Sequence, residues 1–161
     1  MAEGYPFSFV LRDPEVKQVA EIFHFCLNHL GVGFITIPPR KRATAETLKR
    51  LRRNEIVCIL GDQREVHGGV FVDFLNHRAG TATGPVVLAM RTGAGIVPMF
   101  SLRDAGDKHV VIIEAEFELS STGKKEEDIY MNTLRLSRII ESYVRRFPTQ
   151  WFWLHQRWKS T

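Results

Sequence analysis

The sequence contains no apolar run near the roughly 20 residues that an α-helix needs to cross a bilayer. Its first residues, MAEGYPFS, also lack the long apolar core of a signal peptide. We therefore expect the chain as given to be soluble or peripheral to a membrane, with its chemistry on the cytosolic side.

Cysteine is scarce, with Cys26 and Cys58 lying in the apolar stretches FHFCLNHL and EIVCILGD. Because disulfides are rare in reducing compartments, the sequence predicts two buried free thiols. Neither cysteine has a metal-ligand partner at a suitable spacing, and His67 and His77 flank a loop without an evident third ligand. We expect no metal site and no cofactor.

Several motifs of catalysis and nucleotide binding are absent, namely G-x-S-x-G, G-x-G-x-x-G and G-x-x-x-x-G-K-[ST]. His109 and Glu114 have the His-x4-acid spacing of a known acyltransferase dyad, but the residues between them, VVII, favour a strand. In a strand, five steps separate the two side chains by about 16 Å and place them on opposite faces. The sequence therefore predicts that HVVIIE is not a catalytic dyad.

The composition is that of one compact globular domain, with 161 residues of which 44% are hydrophobic and 25% are charged. The net charge of +4 favours anionic partners such as nucleic acid, anionic lipid or an acidic carrier protein. Charge alone does not choose among them. The cations are spread over several segments, namely 40–42, 49–53, 145–146, Arg157 and Lys159.

Hydrophobic periodicity predicts an α/β chain in which strands alternate with helices. The predicted strands are 5–12, 32–38, 56–62, 95–102 and 108–119, and the predicted helices are 13–30, 40–55, 84–93 and 129–147. A glycine-rich loop is predicted over 64–81. The alternation indicates a single domain with a mostly parallel or mixed sheet flanked by helices. Functional residues of such sheets lie beyond the carboxyl ends of strands, which points to GDQREVHGG after the 56–62 strand.

The first predicted helix has a strong start, because Asp13-Pro14-Glu15 offers an N-cap, a first-turn proline and an early acid. An apolar stripe follows at helical spacing. It consists of Val16, Val19, Ile22, Phe23, Cys26, Leu27 and Leu30. His24 is interpreted as a residue that flanks this stripe.

A set of segments in fixed order carries the strongest functional signal. They are GDQ (61–63), GGVFVDFLNHRAGTATGP (68–85), LAMRTGAGIVPMF (88–100) and PTQWFWLHQRWK (148–159). This order resembles the C-terminal two-thirds of the lipid A biosynthesis acyltransferases, within the lysophospholipid acyltransferase superfamily. FVLR (9–12) also resembles the family's strand with a substrate-side arginine. Asp73 and Leu75-Asn76 depart from the family's loop, which carries proline and Phe-Gly there.

The resemblance implies a glycerolipid acyltransferase-like fold and transfer of a fatty acyl group from acyl carrier protein to a hydroxyl of a glycolipid precursor. It implies an anionic membrane surface as a partner, at the cytoplasmic face of the bacterial inner membrane, and no nucleic acid. Arg12, Asp62 and Gln63 would shape the acceptor side, and Pro98 would line the acyl-donor cleft. Arg157 would stay at the rim, able to meet phosphate, and Thr81, Thr83 and Gly84 would set the next helix start.

One expected element of the family is missing from these residues. Members carry a membrane helix and a His-x4-Asp/Glu dyad, about twenty residues ahead of the arginine strand, in which the histidine deprotonates the acceptor hydroxyl. The chain starts about eleven residues before Arg12. We therefore interpret residues 1–161 as an acyltransferase domain truncated at its N-terminus, without catalytic residues of its own, and expect it to be inactive alone.

The C-terminal segment, residues 148–159, contains all three tryptophans of the protein. The resemblance implies that the tryptophans of this segment complete the core near the 64–81 loop. If the segment is extended, Trp151 and Trp153 share one face. Two alternatives to a lipid A acyltransferase function stay open. One is an acyltransferase acting on a mannosylated phosphoinositide, and the other is a basic α/β binding module without catalysis.

Overall fold

A computed structural model describes residues 4–65 and 68–159. Val66 and His67, the latter considered above as a possible ligand, lie outside the described residues. The chain forms two compact units, Met1–Leu60 and Gly61–Thr161. Parallel and antiparallel strand pairs occur together with four α-helices over the described ranges, so the predicted α/β class is confirmed.

The first unit is a three-stranded parallel sheet with two helices. Its strands are β1 (Phe7–Arg12), β2 (Gly33–Ile37) and β3 (Ile56–Ile59), in the order β2-β1-β3. Its helices are α1 (Lys17–His29) and α2 (Arg40–Arg52). The predicted strands and helices of this unit are all present, and β3 is the predicted strand that ends shortly before Gly61-Asp62. Because all strands run parallel, Arg12, Ile37 and Ile59 end at one edge of the sheet.

The predicted start of α1 is wrong by three residues. Helix α1 begins at Lys17, after Val16 in an extended conformation that provides no side-chain cap. The carboxylate of Asp13, predicted to cap the helix, instead accepts a hydrogen bond from Nε2 of His24 at 2.7 Å. This pairing ties the loop before α1 to the middle of the helix.

The packed face of α1 also differs from the predicted apolar stripe. Leu27 is buried and Ala20 and His24 are half-buried, so these residues form the face that packs on β2. The imidazole of His24 stacks on Phe34 with ring centroids 4.3 Å apart. Most of the predicted stripe is exposed, including Cys26, which is a free but not a buried thiol. Cys58 is free and half-buried, and burial raises the pKa of its thiol.

The second unit opens with a hairpin where the sequence predicts a loop. Strands β4 (Val70–Phe74) and β5 (His77–Thr81) pair antiparallel, with Asp73 opposite Arg78 and Phe74 opposite His77. The two turn residues, Leu75 and Asn76, both have positive φ angles, as two-residue hairpin turns require. The alternating pattern of VFVDF and the Asn76 turn were the available signals for this hairpin.

Helix α3 (Gly84–Thr92), the hairpin of β6 (Met99–Arg103) and β7 (His109–Ile113), and helix α4 (Lys125–Arg146) complete the second unit. Strands β6 and β7 are shorter than predicted, although Ile96 and Phe117 form an isolated bridge beyond them. Helix α4 starts four residues before the predicted position. Its first turn carries Glu126, Glu127 and Asp128, whose charges favour the helix N-terminus.

The core of the second unit lies between α4 and the β4–β5 hairpin. Phe74, Ala79 and Val144 are buried there, and Trp151 and Trp158 of the C-terminal segment pack against them. The C-terminal segment is not an extended strand, because Pro148–Gln150 form a 3₁₀ turn and further turns follow. Within residues 4–65 and 68–159, none of the helices combines the length and apolar character that a bilayer crossing needs.

Candidate functional site

Arg157 joins the C-terminal segment to two distant motifs of the second unit. Its guanidinium donates to the carbonyl of Gln63 at 3.1 Å, to the carbonyl of Gly80, and to the side-chain oxygen of Thr81 at 2.7 Å. It also lies over the ring of Phe74, 5.1 Å from the centroid. Gln63 and Gly80, which precede Arg157 by 94 and 77 positions in the sequence, thereby meet at one side chain.

The predicted rim position of Arg157 is wrong, because the side chain is only 1% exposed. Burial lowers the pKa of the guanidinium below its ordinary value, and the negative charge of Asp62 opposes this shift. Nε of Arg157 is buried without a hydrogen-bond partner among the described residues. The side chain is therefore a buried cation that braces the segments around it.

The segment that follows β3 is held by the C-terminal segment through further hydrogen bonds. The indole of Trp151 donates to the carboxylate of Asp62 at 3.1 Å. The backbone N–H of Arg64 donates to Nε2 of His155 at 2.6 Å. Asp62 is half-buried, whereas the side chain of Gln63 is exposed. The structure thus brings the GDQ and QWFWLHQR motifs together.

Gly80 is required by the close approach of backbone segments at this point. A Cβ at Gly80 would lie 2.5 Å from the carbonyl oxygen of Glu65. The N–H of Glu65 donates to the Gly80 carbonyl at 3.0 Å, and this carbonyl also accepts from Arg157. The glycine therefore allows three chain segments to converge on one carbonyl.

An aromatic cluster packs behind Arg157. The ring of Phe74 lies 5.6 Å from Trp151 and 6.1 Å from Trp158, and the Trp158 indole donates to the Phe74 carbonyl at 3.1 Å. Trp153 contacts Trp151 edge to face at 4.7 Å but remains half exposed. The prediction that the tryptophans complete the core is thus confirmed for Trp151 and Trp158, and only in part for Trp153.

The threonine-glycine motif has two separate roles. Thr83 is the N-cap residue of α3 and Gly84 is its first residue, so the predicted helix start is confirmed for this pair. Thr81 is instead the last residue of β5, and its buried hydroxyl accepts from Arg157 and donates to the carbonyl of Ala79.

The remaining predicted site residues, Pro98 and Arg12, are each described within their own unit. Pro98 is buried just before β6, and its carbonyl accepts from the N–H of Glu114 at 3.0 Å. Arg12 belongs to the first unit, where it is exposed at the carboxyl edge of the parallel sheet. Within the second unit, Asp62, Gln63 and Arg157 come together at one place.

His109 and Glu114 do not form a dyad. His109 begins β7 and Glu114 follows its last residue, so the extended chain separates them by about 16 Å. Glu114 accepts a hydrogen bond from the hydroxyl of Tyr143, which raises the pKa of that tyrosine. The predicted strand between the two residues is confirmed.

The sequence pattern did not predict the hydrogen-bonded pair of His24 and Asp13. A carboxylate on one imidazole nitrogen orients the ring, as in many catalytic pairs. Eleven residues separate the two, and only the packing of α1 on β2 brings them together. The ring face of His24 is covered by Phe34, which suits a packed side chain better than a base facing a substrate.

The described motifs are those of a known bacterial family. A sequence model of the bacterial lipid A biosynthesis acyltransferases matches residues 32–160. The chain belongs to this family. The match includes Asp62, Gln63 and Arg157 and the C-terminal segment that joins them.

Curated relatives of this acyltransferase family include enzymes with two kinds of named acceptor. The chain is 25% identical over 154 residues, 95% of its length, to the phosphatidylinositol mannoside acyltransferase of Mycolicibacterium smegmatis. It is 29% identical over 115 residues, 70% of its length, to the lipid A biosynthesis lauroyltransferase of Escherichia coli K12. A palmitoleoyltransferase of lipid A biosynthesis from the same strain is 29% identical over 68% of the chain. The chain spans 49% of the first relative and 37% of the second.

Proposed function

We propose that the full-length protein is an acyltransferase of lipid A, and hence lipopolysaccharide, biosynthesis. It moves a fatty acyl group from acyl carrier protein to a hydroxyl of a glycolipid precursor. The observation that carries the proposal is the junction at Arg157, where the GDQ, AGT and QWFWLHQR motifs meet. These motifs lie within the family match over 32–160.

The proposal assigns Asp62 and Gln63 to the acceptor side. They follow β3, and ligands of parallel α/β sheets bind beyond the carboxyl ends of strands. Asp62 is held in one orientation by Trp151, and the exposed amide of Gln63 is free to hydrogen-bond a sugar hydroxyl. Arg12, exposed at the carboxyl edge of its own sheet, supplies a fixed cation suited to a phosphate group.

Arg157 has a different role in this proposal from the one its sequence motif suggests. Its fork is occupied by Gln63, Gly80 and Thr81, so it acts as a positioning residue. Without it, the backbone after β3 would lose one of the supports that the C-terminal segment provides. Pro98 is proposed to line the acyl-donor cleft from its buried position before β6.

The family resemblance supplies the acyl donor and the membrane setting of this proposal, and the net charge of the chain is compatible with both. Acyl carrier protein is acidic, and a protein with net charge +4 attracts it as well as an anionic membrane surface. We propose that the protein works at the cytoplasmic face of the bacterial inner membrane and does not bind nucleic acid.

A second acceptor class is favoured by a specific observation. The phosphatidylinositol mannoside acyltransferase matches 95% of the chain, a larger share than the lipid A lauroyltransferase does. A mannosylated phosphoinositide is therefore the alternative acceptor. Both acceptors present a phosphate and a sugar hydroxyl, so the chemistry of these residues does not distinguish between them.

Acyl-transfer assays on the full-length protein test the proposal. Acyl carrier protein loaded with a radiolabelled acyl group is the donor. The acceptor is either a phosphorylated glucosamine disaccharide lipid or a phosphatidylinositol mannoside. Label transfer to the first acceptor supports the lipid A function, and transfer to the second alone supports the alternative. Absence of transfer to either, with folded protein, would favour a binding module without catalysis. Gln63→Ala should raise KM for the acceptor, and Gln18→Ala, an exposed position on α1, is the matched control.

A further inference from the structure

Three consecutive apolar side chains project from the C-terminal segment into solvent. Phe152 is 65% exposed, Trp153 is 50% exposed and Leu154 is 84% exposed. Leu154 is the most exposed large hydrophobic side chain in the described part of the chain. Soluble surfaces expose single apolar residues, but a run of three at the tip of a turn requires an explanation.

The base of this turn is fixed while its tip is bare. Trp151 and Trp158 pack on the buried Phe74 on one side of the turn. On the other side, the Gln150 side chain accepts from the N–H of Arg103 at 2.7 Å and donates to its carbonyl at 2.9 Å. The tip is therefore presented by a rigid support rather than by a loose chain end.

Three of the polar groups at the tip are hydrogen-bonded within the segment. The indole N–H of Trp153 donates to the carbonyl of Pro148 at 2.6 Å. The backbone N–H of Trp153 donates to the Trp151 carbonyl, and that of His155 to the Phe152 carbonyl. Moving an unpaired polar group out of water is costly, so each of these bonds lowers the cost of inserting the tip into an apolar medium.

The charged residues in this part of the sequence are all cations, although the carboxylate of Asp62 contacts Trp151. Residues 142–161 contain Arg145, Arg146, Arg157 and Lys159 and no Asp or Glu. Arg157 is buried and Arg145 is paired with Glu141, whereas Arg146 and Lys159 are exposed near the two ends of the segment. Aromatic side chains flanked by cations are typical of segments that lie in the interface of an anionic bilayer.

We propose that Phe152, Trp153 and Leu154 form an interfacial anchor that inserts into the headgroup region of an anionic bilayer. Three side chains are too few for a stable protein partner, since such interfaces bury about 800 Å² on each side. A bilayer requires no complementary shape, so a small apolar tip with exposed cations nearby in the sequence suffices. The anchor deepens the proposed function, which places this enzyme at a membrane surface.

Vesicle binding by the 161-residue chain tests the anchor. Vesicles of phosphatidylglycerol and phosphatidylethanolamine should bind the protein more tightly than neutral phosphatidylcholine vesicles, and less tightly at high salt. Phe152→Ser/Leu154→Ser should weaken partitioning by at least about tenfold. Phe25→Ser/Leu30→Ser on and beside α1, whose side chains are 70% and 62% exposed, is the matched control and should change it by less than about twofold.

A second measurement uses a more conservative change. Brominated lipid in the same vesicles should quench tryptophan emission, and Trp153→Phe should remove most of the quenching while vesicle binding persists. Equal loss of binding in both double variants, or no binding and no quenching by the parent chain, overturns the anchor. If the parent chain self-associates and Phe152→Ser/Leu154→Ser abolishes this self-association but leaves vesicle binding unchanged, the tip contacts a second copy of the chain. That result would also overturn the anchor. These vesicles contain no acyl donor or acceptor, so a negative result leaves the acyl-transfer proposal to its own assay.

Discussion

The guanidinium of Arg157 donates to the hydroxyl oxygen of Thr81 at 2.7 Å, across 76 residues of sequence. Both groups are buried, and the same guanidinium also holds the carbonyls of Gln63 and Gly80. A cation placed near the chain end thus organises the region after β3 that we assign to the acceptor.

Arg157→Lys should destabilise the second unit by about 2–3 kcal/mol, because a lysine cannot serve three acceptors in a fork and leaves buried carbonyls unpaired. Urea unfolding followed by circular dichroism measures the loss. Lys159→Ala, which removes an exposed cation two residues away, should change the free energy of unfolding by less than about 0.5 kcal/mol. An unchanged urea midpoint in Arg157→Lys would contradict the bracing role.

The tryptophans of the C-terminal segment should differ in their contribution to stability. Trp151→Ala should lower the free energy of unfolding by about 3 kcal/mol, since it removes packing on Phe74 and the hydrogen bond to Asp62. Trp153→Ala, at a half-exposed position, should cost about 1 kcal/mol. Thermal unfolding midpoints check the order. Larger destabilisation by Trp153→Ala would mean that the tip is packed in solution.

Asp128 should make the stability of the second unit depend on acid. Hydrogen bonds from the N–H and hydroxyl of Thr122 hold the pKa of its carboxyl below the usual 3.8. A lowered folded-state pKa means that the stabilisation is complete at a pH above 3.8 and is lost as the pH falls through the folded-state value. Urea midpoints at decreasing pH should fall less steeply in Asp128→Asn. Parallel curves for the two proteins would contradict this contribution.

The 161-residue chain alone should not transfer acyl groups from acyl carrier protein. Neither His109 with Glu114 nor His24 with Asp13 has the geometry of a base that faces a substrate, and a general base contributes about 10²–10⁴-fold. An assay with a radiolabelled acyl group on acyl carrier protein should show acyl transfer only at the rate measured without the 161-residue chain. Turnover that His109→Ala or His24→Ala abolishes, in a variant that still folds, would identify the base and refute the prediction.

The basic helix α2 should not confer DNA binding. Arg50 pairs with Glu46 and Glu55, and Lys49 pairs with Glu46, so part of its positive charge is neutralised within the unit. A gel shift with duplex DNA at about 50–150 mM salt should show no complex. Over roughly this range, DNA affinity that depends on phosphate contacts falls steeply as salt rises. A tight complex that dissolves with salt, without vesicle binding, would support a nucleic-acid module.

Local patterns in the sequence were sufficient for most elements of both units. The apolar run that becomes β3, the basic helix α2 and the amphipathic helix α4 are each specified by neighbouring residues, because periodicity reports which side of an element meets the core. The order of motifs along the chain was also sufficient for the family. The separation of His109 from Glu114 followed from strand geometry alone.

The placement of Arg157, His24 and the exposed tip depended on tertiary structure. Sequence suggested a cation at the rim, but packing of Trp151 and Trp158 on Phe74 carries Arg157 beneath the hairpin, where backbone carbonyls take the place of water. Likewise, α1 packs through Ala20, His24 and Leu27 rather than through its longer apolar stripe. Periodicity identifies a helix face, whereas the side that is buried is set by which neighbouring surface the chain topology brings against it.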